Sequence, residues 1–130
     1  MAKAINWPAA FRDEVIAEDT DRVFCAFRIG RLYYDGRFWS PDEVVDIRVD
    51  HRVVRKGVVQ GDLKCCAIKD LLAEDFQKQK KELNSVDEVV TFLSENYQQP
   101  ITPETEVTVV YYKNLPLDPD IMDVPDDPHM

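Results

Sequence analysis

The chain has 130 residues, 45% of them hydrophobic and 32% charged, with a formal net charge of −9; this fits one globular core rather than a disordered chain. Its apolar runs are only a few residues long, which excludes a membrane-spanning helix, and residues 1–6 lack the apolar stretch of a secretory leader, so a cytoplasmic location is expected. Of the three cysteines, Cys65 and Cys66 are neighbours; all read as reduced, buried thiols, and no metal or cofactor is expected.

In chain order, residues 3–6 read as a short strand, and Trp7-Pro8 opens a helix with the apolar stripe Phe11, Val15 and Ile16. Residues 22–29 alternate as a strand, with Val23, Cys25, Phe27 and Ile29 on one face and Arg22, Phe24, Ala26 and Arg28 on the other. A loop or hairpin around Asp35-Gly36 follows. Residues 43–50 form a clear strand, with Val45, Ile47 and Val49 set against Asp46 and Arg48. Residues 52–60 and 63–68 are two further strands, and Gly57 and Gly61 suggest a bulge or bend. Residues 71–81 read as a short helix. Ser85-Val86-Asp87-Glu88 matches a capping box ahead of Val86, Val89, Val90, Leu93 and Tyr97 at helical spacing. Pro100 and Pro103 stop that helix, and residues 106–112 close the chain as a strand. The fold class expected is α+β: a small, mostly antiparallel β-barrel of five to six strands with two to three helices. It spans residues 1–115 as one domain, followed by a Pro- and Asp-rich tail, 116–130, extended or disordered.

Charge is unevenly distributed. Residues 22–56 carry eight basic side chains against five acidic ones, a net of +3, whereas the tail carries five Asp and no Lys or Arg. Inside the basic segment lies Arg31-Leu32-Tyr33-Tyr34-Asp35-Gly36-Arg37-Phe38-Trp39. Aromatic faces stack on unpaired bases and Arg attracts phosphate, so this interleaving suits a single-strand platform. Equally, Tyr34, Phe38 and Trp39 suit the closed end of a barrel with solvated arginines around them, and Trp, Tyr and Arg are the usual anchors of protein interfaces. Arg48 and Arg52 either flank a cleft with Arg28 or pair across strands with Asp46 and Asp50. His51 at a strand end reads as structural. Lys78, Lys80 and Lys81 with Glu74, Asp75 and Glu82 read as a solvated helix face.

At this point the layout resembles the ASCH domain, a PUA-like β-barrel family. The resemblance is carried by Ile5-Asn6-Trp7-Pro8, the strand ending Phe27-Arg28, the segment 42–49, residues 70–75, the helix 86–97 and the strand 107–112. It implies RNA or nucleotide binding in a cleft beside the barrel. Some bacterial members hydrolyse acylated nucleosides, with a Gly-x-Lys-Thr-x-Thr-x-Arg-type stretch and a helix carboxylate. Here Arg28 matches the Arg, but the Lys position falls near Arg22 or Val23, the second Thr on Ala26, and the carboxylate near Lys80, with Glu74 and Asp75 earlier. The Gly-Asp pair before the next strand is replaced by Asp42-Glu43. Ala26 and Val23 supply neither base nor nucleophile, so amidohydrolase activity is the third expectation. The first is a non-enzymatic domain binding RNA or a nucleotide through Arg28, Arg31, Tyr33, Trp39, Arg48 and Arg52. The second is a protein-interaction module on the same fold, and no membrane partner is expected.

Overall fold

A computed structural model describes residues 3–17, 19–75, 84–97 and 99–117. The elements are β1 (Ala4–Trp7), a 3-10 turn (Ala9–Phe11) running into α1 (Arg12–Ile16), β2 (Val23–Ile29), α2 (Leu32–Asp35), β3 (Val44–Val49), β4 (Arg52–Val59) and β5 (Lys64–Ala67). A second 3-10 turn (Ile68–Asp70), α3 (Val86–Tyr97) and β6 (Glu106–Asn114) complete them. Of the helix expected over 71–81, residues 73–75 are helical; the rest, with Lys78, Lys80, Lys81 and Glu82, lies outside the described residues, as does the tail from residue 118.

The fold is α+β with a six-stranded mixed sheet. The strand order is β1-β3-β4-β6-β2, with β5 on β6. Strand β1 runs parallel to β3, while β3–β4, β4–β6 and β5–β6 are antiparallel. Strands β1 and β2 stand at the two ends of that order, and among the described residues the sheet does not form the closed or half-closed barrel that the strand count predicts. A count of strands says nothing about closure, which needs the first and last strands to hydrogen-bond. The parallel β1–β3 pair was also invisible in sequence, because parallel pairing depends on a long crossover rather than on a local turn.

The chain forms two compact units. The first takes the residues up to 23, 41–61 and those from 112 on. In it Trp7, Phe11 and Tyr112 are buried, and the Trp7 indole N–H donates to the Tyr112 hydroxyl at 2.7 Å. The β3–β4 hairpin turns on Asp50 and His51, both at positive φ (50° and 65°). Its backbone is held by Asp50 N–H to Trp7 O and His51 N–H to Asn6 Oδ1, 2.8 Å. His51 is therefore a turn residue. Gly57 sits where a Cβ would come within 2.9 Å of the Tyr112 ring, which explains a glycine inside β4 better than a bend does.

Arg55, counted in sequence among the cations of the basic segment, is fully buried. Its parity on β4 points it inward with Val59 and Gly57. The guanidinium donates to the carbonyls of Val15 (3.0 Å), Ala17 (2.7 Å) and Leu115 (2.5 Å). It thus caps the C-terminal end of α1, where the helix dipole favours a cation, and ties that end to the chain leaving β6. Arg55→Met is expected to lower unfolding free energy by about 3 kcal/mol, because buried carbonyls left unpaired cost about 1–3 kcal/mol each. A urea titration checks this; an unchanged midpoint would contradict it.

Candidate functional site

The second unit comprises residues 24–40 and 62–111. Its core is built from Cys25 and Phe27 on β2, Val107 and Val109 on β6, and Val89 and Leu93 on α3. The Ser85 half of the capping box at α3 is present, with Glu88 N–H donating to Ser85 Oγ at 3.2 Å, while the Glu88 carboxylate accepts from the N–H of Asn84, one residue before the cap, at 2.7 Å.

From β2 the chain passes through Gly30, at φ 88°, into the aromatic loop. Gly30 N–H donates to Glu106 O, and Thr108 Oγ1 donates back to Gly30 O at 2.8 Å. Both ends of the glycine are thereby fixed to β6. Arg31 bonds Glu106 at 2.9 Å and Asp35 at 3.4 Å. In place of the hairpin that Asp35-Gly36 suggests, the chain makes one helical turn, α2, with which the exposed i,i+4 pair of Arg31 and Asp35 is compatible.

How α2 ends decides what the loop displays. Phe38 N–H donates to Tyr33 O and Arg37 N–H to Tyr34 O, with Arg37 at φ 49°. That pair of bonds, with a left-handed residue between helix and exit, is a Schellman termination. Its usual apolar clasp is present as the Tyr33–Phe38 ring contact, edge-to-face at 5.1 Å. Glycine normally holds the left-handed position; here an arginine does.

Beyond the termination, Trp39 is buried, 3% exposed. Tyr33 stacks on it at 5.2 Å and 18°, Phe38 meets it edge-on at 4.8 Å, and the Arg28 guanidinium lies 5.9 Å over its ring. Arg28 also donates to Phe27 O at 2.9 Å. What faces solvent is different: Leu32 is 81%, Tyr34 38% and Phe38 37% exposed, with Arg31 5.6 Å over the Tyr34 ring.

Four of the six residues singled out in sequence, Arg28, Arg31, Tyr33 and Trp39, therefore belong to one unit and gather around one loop. Arg48 and Arg52 belong to the other unit. There Arg48 is half-buried opposite Val53 of β4, and Arg52 is exposed opposite Val49 of β3. Cross-strand pairing in that hairpin is made by Lys56 and Asp46, at 2.7 Å.

A second cluster in the same unit escaped sequence reasoning. Asp75, read as part of a solvated helix face, is buried. It accepts from Lys64 Nζ (2.7 Å), Tyr111 Oη (2.7 Å) and Leu72 N–H (3.1 Å). Burial alone would push its carboxyl up, but these three bonds outweigh it and hold the group below its ordinary range. Asp75 holds the Lys64 ammonium above its usual range, and burial with the same carboxylate raises the Tyr111 phenol. The signal available in sequence was Asp75 three residues after Leu72, the spacing at which a carboxylate reaches back to the first free N–H of a helix. These three bonds join β5, β6 and the 73–75 turn, so the cluster acts as a clamp. No group of three or more His, Cys, Asp or Glu able to hold a metal ion occurs among the described residues. None of their helices is long and apolar enough to cross a membrane.

The fold is similar to that of a solved structure. No family model matches the sequence, and no curated protein is similar to it. The chain is similar to the crystal structure of EF3133 from Enterococcus faecalis V583, of family DUF984, at a TM-score of 0.54 and 12% identity, over 75% of this chain. It spans 63% of that protein's length. At such identity the likeness extends to the fold alone.

The Asp75 clamp carries a pH dependence of determined sign. A carboxyl depressed in the folded state contributes its full stability above the ordinary Asp range, near 4, and loses it as pH falls through the depressed value. Asp75→Asn is expected to cost about 2–3 kcal/mol at pH 7, as charge-assisted bonds do, and to flatten the acid limb of stability against pH. Urea midpoints of both proteins between pH 2 and 7 check this; parallel acid limbs would contradict it.

Proposed function

We propose that this chain is a divergent ASCH-type, PUA-like domain that acts without catalysis and binds single-stranded RNA or a nucleotide through the loop 31–39. The observation that carries the reading is Arg37. An L-residue other than glycine at positive φ is costly, and here glycine would serve the helix termination better. The arginine at that place is exposed and lies in the chain between Tyr34 and Phe38, whose rings are partly exposed. An exposed cation in the same short loop as exposed aromatic rings is what a base-and-phosphate ligand needs. Tyr34 and Phe38 are thus the stacking surfaces, with Tyr33 and Trp39 packed against Phe38 and Arg31 against Tyr34. Arg28 and Arg37 supply positive charge, and Arg31 braces the loop through Glu106 and Asp35.

Leu32 favours a second reading. An aliphatic side chain 81% exposed contributes nothing to stacking, but it suits the centre of a protein interface, and the net charge of −9 weighs the same way. The amidohydrolase reading has less support, since Asp75 is taken up by the clamp.

Fluorescence anisotropy with a labelled short oligouridylate at low salt tests the first reading. Arg37→Gly is expected to stabilise the fold by about 1 kcal/mol through relief of the left-handed backbone, yet to weaken RNA binding severalfold and reduce the salt slope by about one. A variant that gains stability and binds RNA equally well would overturn the role given to Arg37. If RNA does not bind, and a nuclease-resistant stoichiometric protein partner is lost on Leu32→Asp, the second reading replaces the first.

A further inference from the structure

Residues opposite one another on neighbouring strands share a face of the sheet. In the first unit that rule puts Val44 with Val58, Asp46 with Lys56, Arg48 with Val53, and Val58 with Lys113. They form the face turned away from the buried Val45, Ile47 and Val49. None of them is buried, and Val44 is 48% exposed. Three cations, Arg48, Lys56 and Lys113, stand there against one acid, Asp46. A sheet face that mixes part-exposed valines with surplus positive charge suits a segment that mixes acidic with apolar side chains.

The chain supplies such a segment at that place. Leu115 N–H donates to Lys56 O at 2.9 Å, so the chain leaves β6 beside the middle of this face, between the Val44–Val58 and Arg48–Val53 pairs. Residues 118–127 then hold five Asp, no Lys or Arg, and the apolar Ile121, Met122 and Val124. We infer that residues 118–127 dock on the outer face of β3 and β4 of their own chain. The carboxylates of the segment meet the surplus charge of Arg48, Lys56 and Lys113, and its apolar side chains cover Val44, Val53 and Val58. Fully extended, the segment reaches about 33 Å, more than the roughly 20 Å of a strand of the length of β3, so the whole face is within range. The tether, residues 116 and 117, is short, and a short linker gives an effective concentration on the order of millimolar. That puts the chain's own segment ahead of a separate acidic partner or a second copy. The docking does not depend on RNA binding by the loop 31–39.

Valine and isoleucine methyl resonances of the full chain report it. Asp118→Asn, Asp120→Asn, Asp123→Asn, Asp126→Asn and Asp127→Asn, made together, are expected to move the Val44 and Val53 methyls, while Val45 and Ile47, buried on the other face, stay in place as internal references. The difference between the two proteins is expected to shrink severalfold in about 1 M salt, where the screening length is about 3 Å, and to be independent of protein concentration. Val44 and Val53 resonances that coincide in the two proteins at low salt overturn the inference. A difference that grows with protein concentration overturns it too, because the occupant is then the segment of a second copy.

Discussion

Burial of Trp39 is the constraint from which the character of the loop follows. One large ring withdrawn from solvent fixes the exit of the loop, Tyr33 lies flat on it, and Phe38 meets both rings edge-on. Such aromatic pairs each add about 0.5–1.5 kcal/mol beyond area burial, enough to hold a single helical turn that would not persist alone. The entry is fixed independently by Gly30, Thr108 and the Arg31–Glu106 pair. Between these two anchors the chain has little freedom, and Leu32, Tyr34, Arg37 and Phe38 are held with their side chains partly or largely exposed.

Much of this architecture was legible in the sequence. Alternation gave β2 and β3, the Ser85–Glu88 spacing gave the start of α3, and the aromatic-basic stretch was recognisable from composition. What the sequence hid was orientation. Within that stretch nothing distinguishes Tyr33 from Tyr34, yet the helical turn sends one onto Trp39 and the other to solvent. The Asp35-Gly36 pair favours a hairpin on local grounds, but packing of Tyr33 and Phe38 on Trp39 accompanies a helical turn instead. The left-handed Arg37 had no signal at all, because arginine is not a residue that advertises such a position.

Charge was the other source of misreading. Counting residues treated Arg55 and Arg52 alike, although strand parity sends Arg55 into the first unit's interior to cap α1 while Arg52 stays exposed. The same applies to Asp75 beside Glu74: one is buried against Lys64 and Tyr111, the other exposed. Buried ionic groups of this sort act as clamps, since removing one partner strands the others in a low-dielectric setting. Net charge over a segment therefore overstates the cation available to a ligand, and only part of the +3 seen in residues 22–56 remains for recognition.

The central claim is that ligand contact is made by the loop 31–39. Photo-crosslinking of the full chain to an oligouridylate carrying 4-thiouridine, followed by mass-spectrometric mapping of the attachment sites, tests it most directly. The account predicts adducts on Tyr34, Phe38 or their immediate neighbours. Adducts confined to the β3–β4 hairpin, residues 44–59, or no adduct at low salt, would contradict it.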